Sequence, residues 1–273
     1  KKNGQNRHIR ISLAYVIMII LIWIPMARRK SLAFLDVGQG DCFVADTKSG
    51  AIIFDGGSSS EDQVGRYRIL PYMKYLGYQK IQIAVISHMD IDHYSGIKEL
   101  LEMGKIKYLG LPEIPKDETM KKIIGIAKKR GTTIFYLSRG RQITTKDGSL
   151  KVLHPQKNSQ MEKNAASLVM QGKILGYRVL LTGDVEKEGE EELLSEELER
   201  ADILKAAHHG SKNSTSNEFL QKVQPKQTVI SCGKQNRYGH PHLETIHRLQ
   251  TYHTKIYRTD RSGAIIFFKR RDG

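Results

Sequence analysis

The chain has 273 residues, 39% of them hydrophobic, and a formal net charge of +15. That is enough for a packed core in one large domain or two small ones. The only two cysteines, Cys42 and Cys232, exclude a disulfide framework and do not resemble a Cys-rich zinc module. The first thirty residues carry seven Lys/Arg and no acid, and residues 11–26 (ISLAYVIMIILIWIPM) carry no charge. At about 1.5 Å per residue that run spans about 24 Å, against a hydrocarbon core of about 30 Å. Trp23 sits where an interfacial anchor would, and Arg28, Arg29 and Lys30 can snorkel. A single transmembrane helix over 11–26, within a basic flank 1–30, is therefore expected ahead of a signal peptide or a buried core helix. The flanking charges do not decide its orientation. Lys1 stands where a complete chain would have Met, as in a piece of something longer.

From Ser31 on, 37 basic residues face 29 acidic ones. Such a balance suits nucleic acid or an anionic membrane surface without choosing between them. Short apolar runs at 32–35 and 51–54 read as strands. A helical stretch follows at 63–76, kinked or divided by Pro71. The run 83–86 (IAVI) reads as a buried strand, 96–103 as a helix, 106–109 as a strand and 117–130 as an amphipathic helix. Strands are expected near 133–137, 150–153, 166–170 and 174–182, then a charged helix at 186–199. A strand at 203–207, a helix at 217–223, a strand at 227–231, a helix at 242–252 and strands at 255–258 and 264–268 close the chain. Mixed elements over 31–273 without an internal repeat argue for one layered α/β domain.

Four apolar strands in this order end in metal-ligand residue types. One leads into Ser87-His88-Met89-Asp90-Ile91-Asp92-His93, which packs two imidazoles and two carboxylates into the six residues from His88 to His93. The others end in Phe54-Asp55-Gly56-Gly57, Leu181-Thr182-Gly183-Asp184 and Ala207-His208-His209-Gly210-Ser211. One Asp-Gly turn is common, whereas four such ends in one chain point to a shared centre. Neutral imidazole and ionised carboxylate suit Zn²⁺, and the carboxylates also suit Mn²⁺. Two cations about 3.5–4 Å apart orient a phosphodiester and acidify water.

The ordered set HxDxDH, TGD and HHGS resembles the metallo-β-lactamase fold of hydrolases. With Leu35-Asp36-Val37-Gly38-Gln39-Gly40-Asp41 and Tyr238-Gly239-His240-Pro241-His242 it is similar, over 31–273, to the C-terminal domain of ComEC competence proteins. The resemblance implies an α/β, four-layer αββα sandwich, here preceded by the transmembrane helix, with two divalent ions (Zn or Mn) where strand-end loops meet. It implies that His88 and Asp90 hold one metal and Asp92 and His93 the other. Asp184 bridges them, and His208 or His209 completes the second site. His208 is favoured because it comes first after the strand. Asp92 and Asp184 are the expected catalytic residues. The family's third histidine, expected between the opening cluster and the Thr-Gly-Asp turn, is not evident; His154 lies in that interval in the wrong context. Asn164 and Ser167 match the stretch found there in ComEC-like sequences. Asp36, Asp41 and Asp55 are candidates to orient the imidazoles, and His209, Ser211 and His240 to support the metal site or meet substrate.

The resemblance further implies a membrane-attached, extracytoplasmic nuclease acting on DNA, single-stranded in the first instance, during uptake. A multi-helix DNA channel and other competence proteins are the implied partners. Two other readings stay open: a hydrolase of a nucleotide, phosphonate ester or lactone, and a non-catalytic DNA-binding module at a membrane pore. Lys205 reads as a solvated strand-edge lysine. The basic run Lys121, Lys122, Lys128, Lys129 and Arg130 reads as a solvated helix face, and Tyr238 can stack on a base or pack.

Overall fold

The computed structural model describes residues 11–16, 18, 29–161 and 164–270. Its first half runs β1 (Ser31–Phe34), β2 (Phe43–Thr47), β3 (Gly50–Phe54), α1 (Leu70–Tyr75), β4 (Ile81–Val85), α2 (Ile91–Glu102), β5 (Ile106–Pro112), α3 (Glu118–Lys129) and β6 (Thr133–Leu137). Its second half runs β7 (Gln142–Thr145), β8 (Gly148–His154), β9 (Val169–Ile174), β10 (Tyr177–Leu181), α4 (Lys187–Leu194), β11 (Ile203–Lys205) and α5 (Asn217–Val223). It continues through β12 (Gln227–Ile230), α6 (Leu243–Thr251), β13 (Lys255–Arg258), α7 (Thr259–Ser262) and β14 (Ile265–Phe268).

The strands form two seven-stranded sheets, in the orders β14-β1-β2-β3-β4-β5-β6 and β13-β12-β11-β10-β9-β8-β7. Each sheet is antiparallel in one half and parallel in the other. Three hydrophobic clusters define four layers. One lies between the sheets, with Phe34, Phe54, Val85, Leu181 and Ile203. A second lies between the first sheet and α2 and α3, with Ile53, Ile97, Leu101 and Ile123. The third lies between the second sheet and α4 to α6, with Leu180, Leu193, Phe219 and Leu249. Strands such as β3 and β10 are apolar on both faces because each face has its own core.

Most expected elements form, with informative differences. The strand β2 escaped the sequence reading because Asp46 interrupts it; that carboxylate accepts from Lys30 Nζ at 2.8 Å and from Tyr78 Oη at 2.6 Å. The polar edge strand β7 also escaped, although the Asp147-Gly148 turn into β8 is a hairpin signal. The helical stretch expected to be kinked or divided at Pro71 does change there: a π-helical turn at Gly65–Ile69 passes directly into α1, whose second residue is Pro71. The helix α2 begins at Ile91, five residues before the expected start, so Asp92 and His93 lie in its first turn. Residues 11–16 are helical, and most of the expected span 11–26 lies outside the described residues. Among the described residues no helix is long and apolar enough to cross a membrane.

Two glycines let the loop after β1 and the loop after β3 reach the start of α2. A Cβ on Gly57 would sit 2.5 Å from Ile91 O and 2.6 Å from the Asp92 carbonyl carbon. A Cβ on Gly40 would collide with Gly57 O. The backbone then closes through Asp41 N–H donating to Asp92 O at 3.0 Å and Gly57 N–H donating to Asp41 O at 3.1 Å. Gly57→Ala is expected to cost about 1–3 kcal/mol by chemical denaturation, since only backbone stands in its way. Gly125→Ala, on the exposed face of α3 with nothing within 4 Å, is expected to be neutral or to stabilise by up to about 1 kcal/mol.

Candidate metal centre

Five strand ends meet at one edge of the sandwich. Ser87 to His93 follow β4, and Asp55 follows its neighbour β3. Asp184 follows β10, and His208 and His209 follow β11, which pairs parallel with β10. Asp41 comes from the loop between β1 and β2. The turn carrying the two histidines is tight, with His208 at φ 46° and His209 at φ 52°. Two successive non-glycine residues in the left-handed region are uncommon and mark a segment that the surrounding structure holds in place.

Ligand atoms of Asp41, His93, Asp184 and His209 all lie within 4.8 Å of one another, and all four residues are buried. Asp184 Oδ2 stands 3.1 Å from His93 Nε2 and 3.3 Å from His209 Nε2. Asp92 Oδ2 joins at 3.4 Å from His209 Nε2. Each imidazole is aimed by the bond at its other nitrogen. His93 Nδ1 faces Asp55 Oδ2 at 3.0 Å, and Asp55 Oδ1 accepts from Ser87 N–H at 2.7 Å. His209 Nδ1 donates to Ser231 O at 2.9 Å. A carboxylate or carbonyl behind a histidine is the usual way to fix the tautomer that presents Nε2 to a metal.

The donor set fits a divalent cation. The Nε2 atom of His88 is buried without a hydrogen-bond partner, and those of His93 and His209 are buried against the carboxylates of Asp184 and Asp92. Buried imidazole nitrogens and carboxylate oxygens that converge in this way could hold a metal ion. Two imidazole nitrogens with carboxylate oxygens suit Zn²⁺ or Mn²⁺.

The electrostatics show the same demand for positive charge. Burial pulls the His209 imidazolium down, but the Asp184 and Asp41 carboxylates outweigh it and push it up to about 10. Burial likewise opposes the charged form of His93, and Asp184 and Asp55 hold it well above its ordinary value. Burial alone would raise Asp92; its hydrogen bond to His209 and the charge of His93 bring it to about 2. His240, lowered by burial and by the neighbouring His209 and His208, falls to about 4 and is neutral near pH 7.

The remaining sequence candidates fall around this core. His88 and Asp90 stand beside it, Nε2 to Oδ2 at 3.7 Å, with the His88 and His93 rings 4.1 Å apart. His208 lies at the cleft edge. Its Nε2 is 3.8 Å from Asp184 Oδ2 and its Nδ1 is 2.7 Å from Glu186 Oε1, so His209 is the histidine of this pair in the converging set. Ser167 Oγ accepts from Asp184 N–H at 3.3 Å, and Asn164 O accepts from Ser167 N–H at 3.0 Å; both hold the Asp184 turn. Ser211 Oγ accepts from Asn213 N–H within the histidine loop. Asp36 accepts from Gly38 N–H at 3.1 Å and serves the turn. His154 is buried with Nε2 donating to Ala165 O at 2.7 Å, outside the cluster.

Sequence reading missed Lys205. Its ammonium is buried and pairs with Asp41 and, at 3.3 Å, with Asp184 Oδ1. The signal was strand alternation: Lys205 is two residues after Ile203, which faces the core between the sheets. The cluster opens into a cleft of about 240 Å³ lined by Gln39, Asp92, Asp184, His208, Tyr238 and His240.

Comparison with known proteins agrees with this geometry. Residues 35–234 match the model of the Metallo-beta-lactamase superfamily. The chain is 35% identical to ComE operon protein 3 of Bacillus subtilis, over 94% of this chain and 35% of that one. It is 30% identical to competence protein ComA of Neisseria gonorrhoeae, over 87% of this chain and 32% of that one. The chain thus spans about a third of the length of these curated relatives. The metallo-beta-lactamase fold protein YhfI of Bacillus subtilis superposes with a TM-score of 0.58 at 13% identity, covering 86% of this chain and 99% of that one.

The charge demand sets a pH dependence for metal-free protein. The His209 pKa is raised from 6.5, so its contribution is fully present below 6.5 and lost as pH rises through about 10. The Asp92 pKa is lowered from 3.8, so its contribution is present above 3.8 and lost as pH falls through about 2. In chelator, the melting temperature is expected to be highest between these limits and to fall on both sides. A divalent ion replaces the protons, so the alkaline fall should shrink in Mn²⁺ or Zn²⁺ when followed by scanning fluorimetry.

Proposed function

Because this chain belongs to the metallo-β-lactamase superfamily, we propose that it is a metal-dependent phosphodiesterase that cleaves DNA during uptake at the membrane. The observation that supports hydrolysis is the buried carboxylate–imidazole set opening directly into the cleft. In this reading Asp92, His93, Asp184 and His209 would hold one ion, and His88 and Asp90 would help to hold a second. Zn²⁺ or Mn²⁺ bound there supplies Lewis-acid polarisation of a phosphodiester and acidifies water.

The chain's own side chains supply the rest. Asp92 lines the cleft and stays ionised far below neutral pH, so it can accept a hydrogen bond from the attacking water. His240, neutral and lining the cleft, can donate a hydrogen bond from its ring to a phosphate or leaving oxygen. Asp55 keeps His93 in the tautomer that serves the centre. DNA as substrate is supported by relatives named for competence and recombination, and by the basic charge. The apolar run at 11–26 is proposed to attach the domain to the membrane once, with the hydrolase outside the cytoplasm beside a DNA channel and its competence partners.

The test is an assay on single-stranded DNA with EDTA, then restored Zn²⁺ or Mn²⁺. Cleavage is expected to vanish and return. Asp184→Asn is expected to abolish it, and Asp55→Asn to reduce metal affinity or activity about 10- to 100-fold. Salt-dependent DNA binding that survives Asp92→Ala, with no turnover in either form, would leave a binding module instead.

A further inference from the structure

The converging set contains a carboxylate that is already spoken for. Lys205 Nζ has three hydrogens and three oxygens about it: Asp41 Oδ2, Asp184 Oδ1 at 3.3 Å, and Gly183 O at 2.8 Å. Its backbone is held in the sheet. Lys205 is the last residue of β11, registered against Val229 of β12, and its carbonyl accepts from Thr182 Oγ1 at 2.8 Å. Only 4% of it is exposed, so the ammonium is shielded from bulk solvent. Asp184 is consequently split: Oδ1 faces the ammonium, while Oδ2 faces the imidazoles of His93 and His209.

We propose that Lys205 is an internal cation that competes with divalent metal for this centre and withholds Asp41 from it. The inference rests on the metal centre proposed above and concerns its affinity rather than its reaction. Two like charges within a few ångströms in a buried site repel strongly. The ammonium therefore weakens the metal's hold while keeping the carboxylates together when no metal is bound. Lys205 is a positioning residue, since it acts through Asp41 and Asp184.

The experiment is calorimetric titration of Mn²⁺ into the purified chain and three variants, with far-ultraviolet circular dichroism to confirm folding. Lys205→Met is expected to bind Mn²⁺ about tenfold or more tightly, because a repulsive charge leaves and Asp41 is freed. Asp41→Asn alone is expected to change affinity by less than about threefold, and in the Lys205→Met background to remove most of the gain. The melting temperature of Lys205→Met should fall in EDTA and recover in Mn²⁺, whereas a purely packing role would lower it equally in both. Mn²⁺ affinity that falls in folded Lys205→Met would overturn the proposal. So would a loss of about 100-fold on Asp41→Asn alone, which decides the matter even if Lys205→Met fails to fold. Absence of Mn²⁺ binding in the unaltered chain would overturn this inference, and absence of Zn²⁺ binding as well would overturn the proposed function; binding without the Lys205 effect would overturn the inference alone.

Discussion

The centre depends on the Asp184 carboxylate, which is buried where two imidazoles and an ammonium reach it. Burial raises the energy of its charged form, and His209, His93 and Lys205 more than reverse this, holding its pKa well below the ordinary range. An anion in that position is stable only while cations surround it. Protons on the histidines, the lysine ammonium and a divalent ion are three ways to meet the same demand. This is why protonation and local stability are linked here.

The scaffold makes such a demand tolerable. The ligands follow the carboxyl ends of strands that are hydrogen-bonded on both sides, so their backbone has little freedom. Glycines at 40 and 57 allow the Asp41 loop and the Asp55 loop to lie against the first turn of α2. That contact places Asp41 and His93 from remote parts of the first sheet beside Asp184 and His209 from the second. Close backbone approach, rather than any one side-chain bond, sets the spacing.

Outside the centre the cleft changes character. Tyr238 stacks on His240 at 22° and 5.7 Å, and His240 on His209 at 30° and 6.1 Å, so rings lead from solvent to the buried set. Tyr238 is 42% exposed, which leaves it available as a contact surface at the mouth. The ionised Asp92 and the neutral His240 thus meet one cleft with opposite hydrogen-bonding roles.

Much of this was legible before folding. Apolar runs closed by Asp, His and Gly marked β3, β4, β10 and β11 and supplied His88, Asp90, Asp92, His93, Asp184 and the His208–His209 pair, because strand ends are local patterns. Less local features were hidden. Nothing near His208 and His209 says which of two adjacent rings turns inward; the left-handed turn and the bond to Ser231 O decide that. Asp41 lies forty-seven residues before His88, and only the contact through Gly40 and Gly57 brings it to the centre. Lys205 read as a solvated edge because a lone lysine in a strand usually is one; pairing of β11 between β10 and β12 buried it against two carboxylates. The chain's composition and spacing thus determined which chemical groups are present and which strand carries each. Tertiary structure alone decided which of them come within 4.8 Å of one another, since that depends on how two sheets pack and not on distance along the chain.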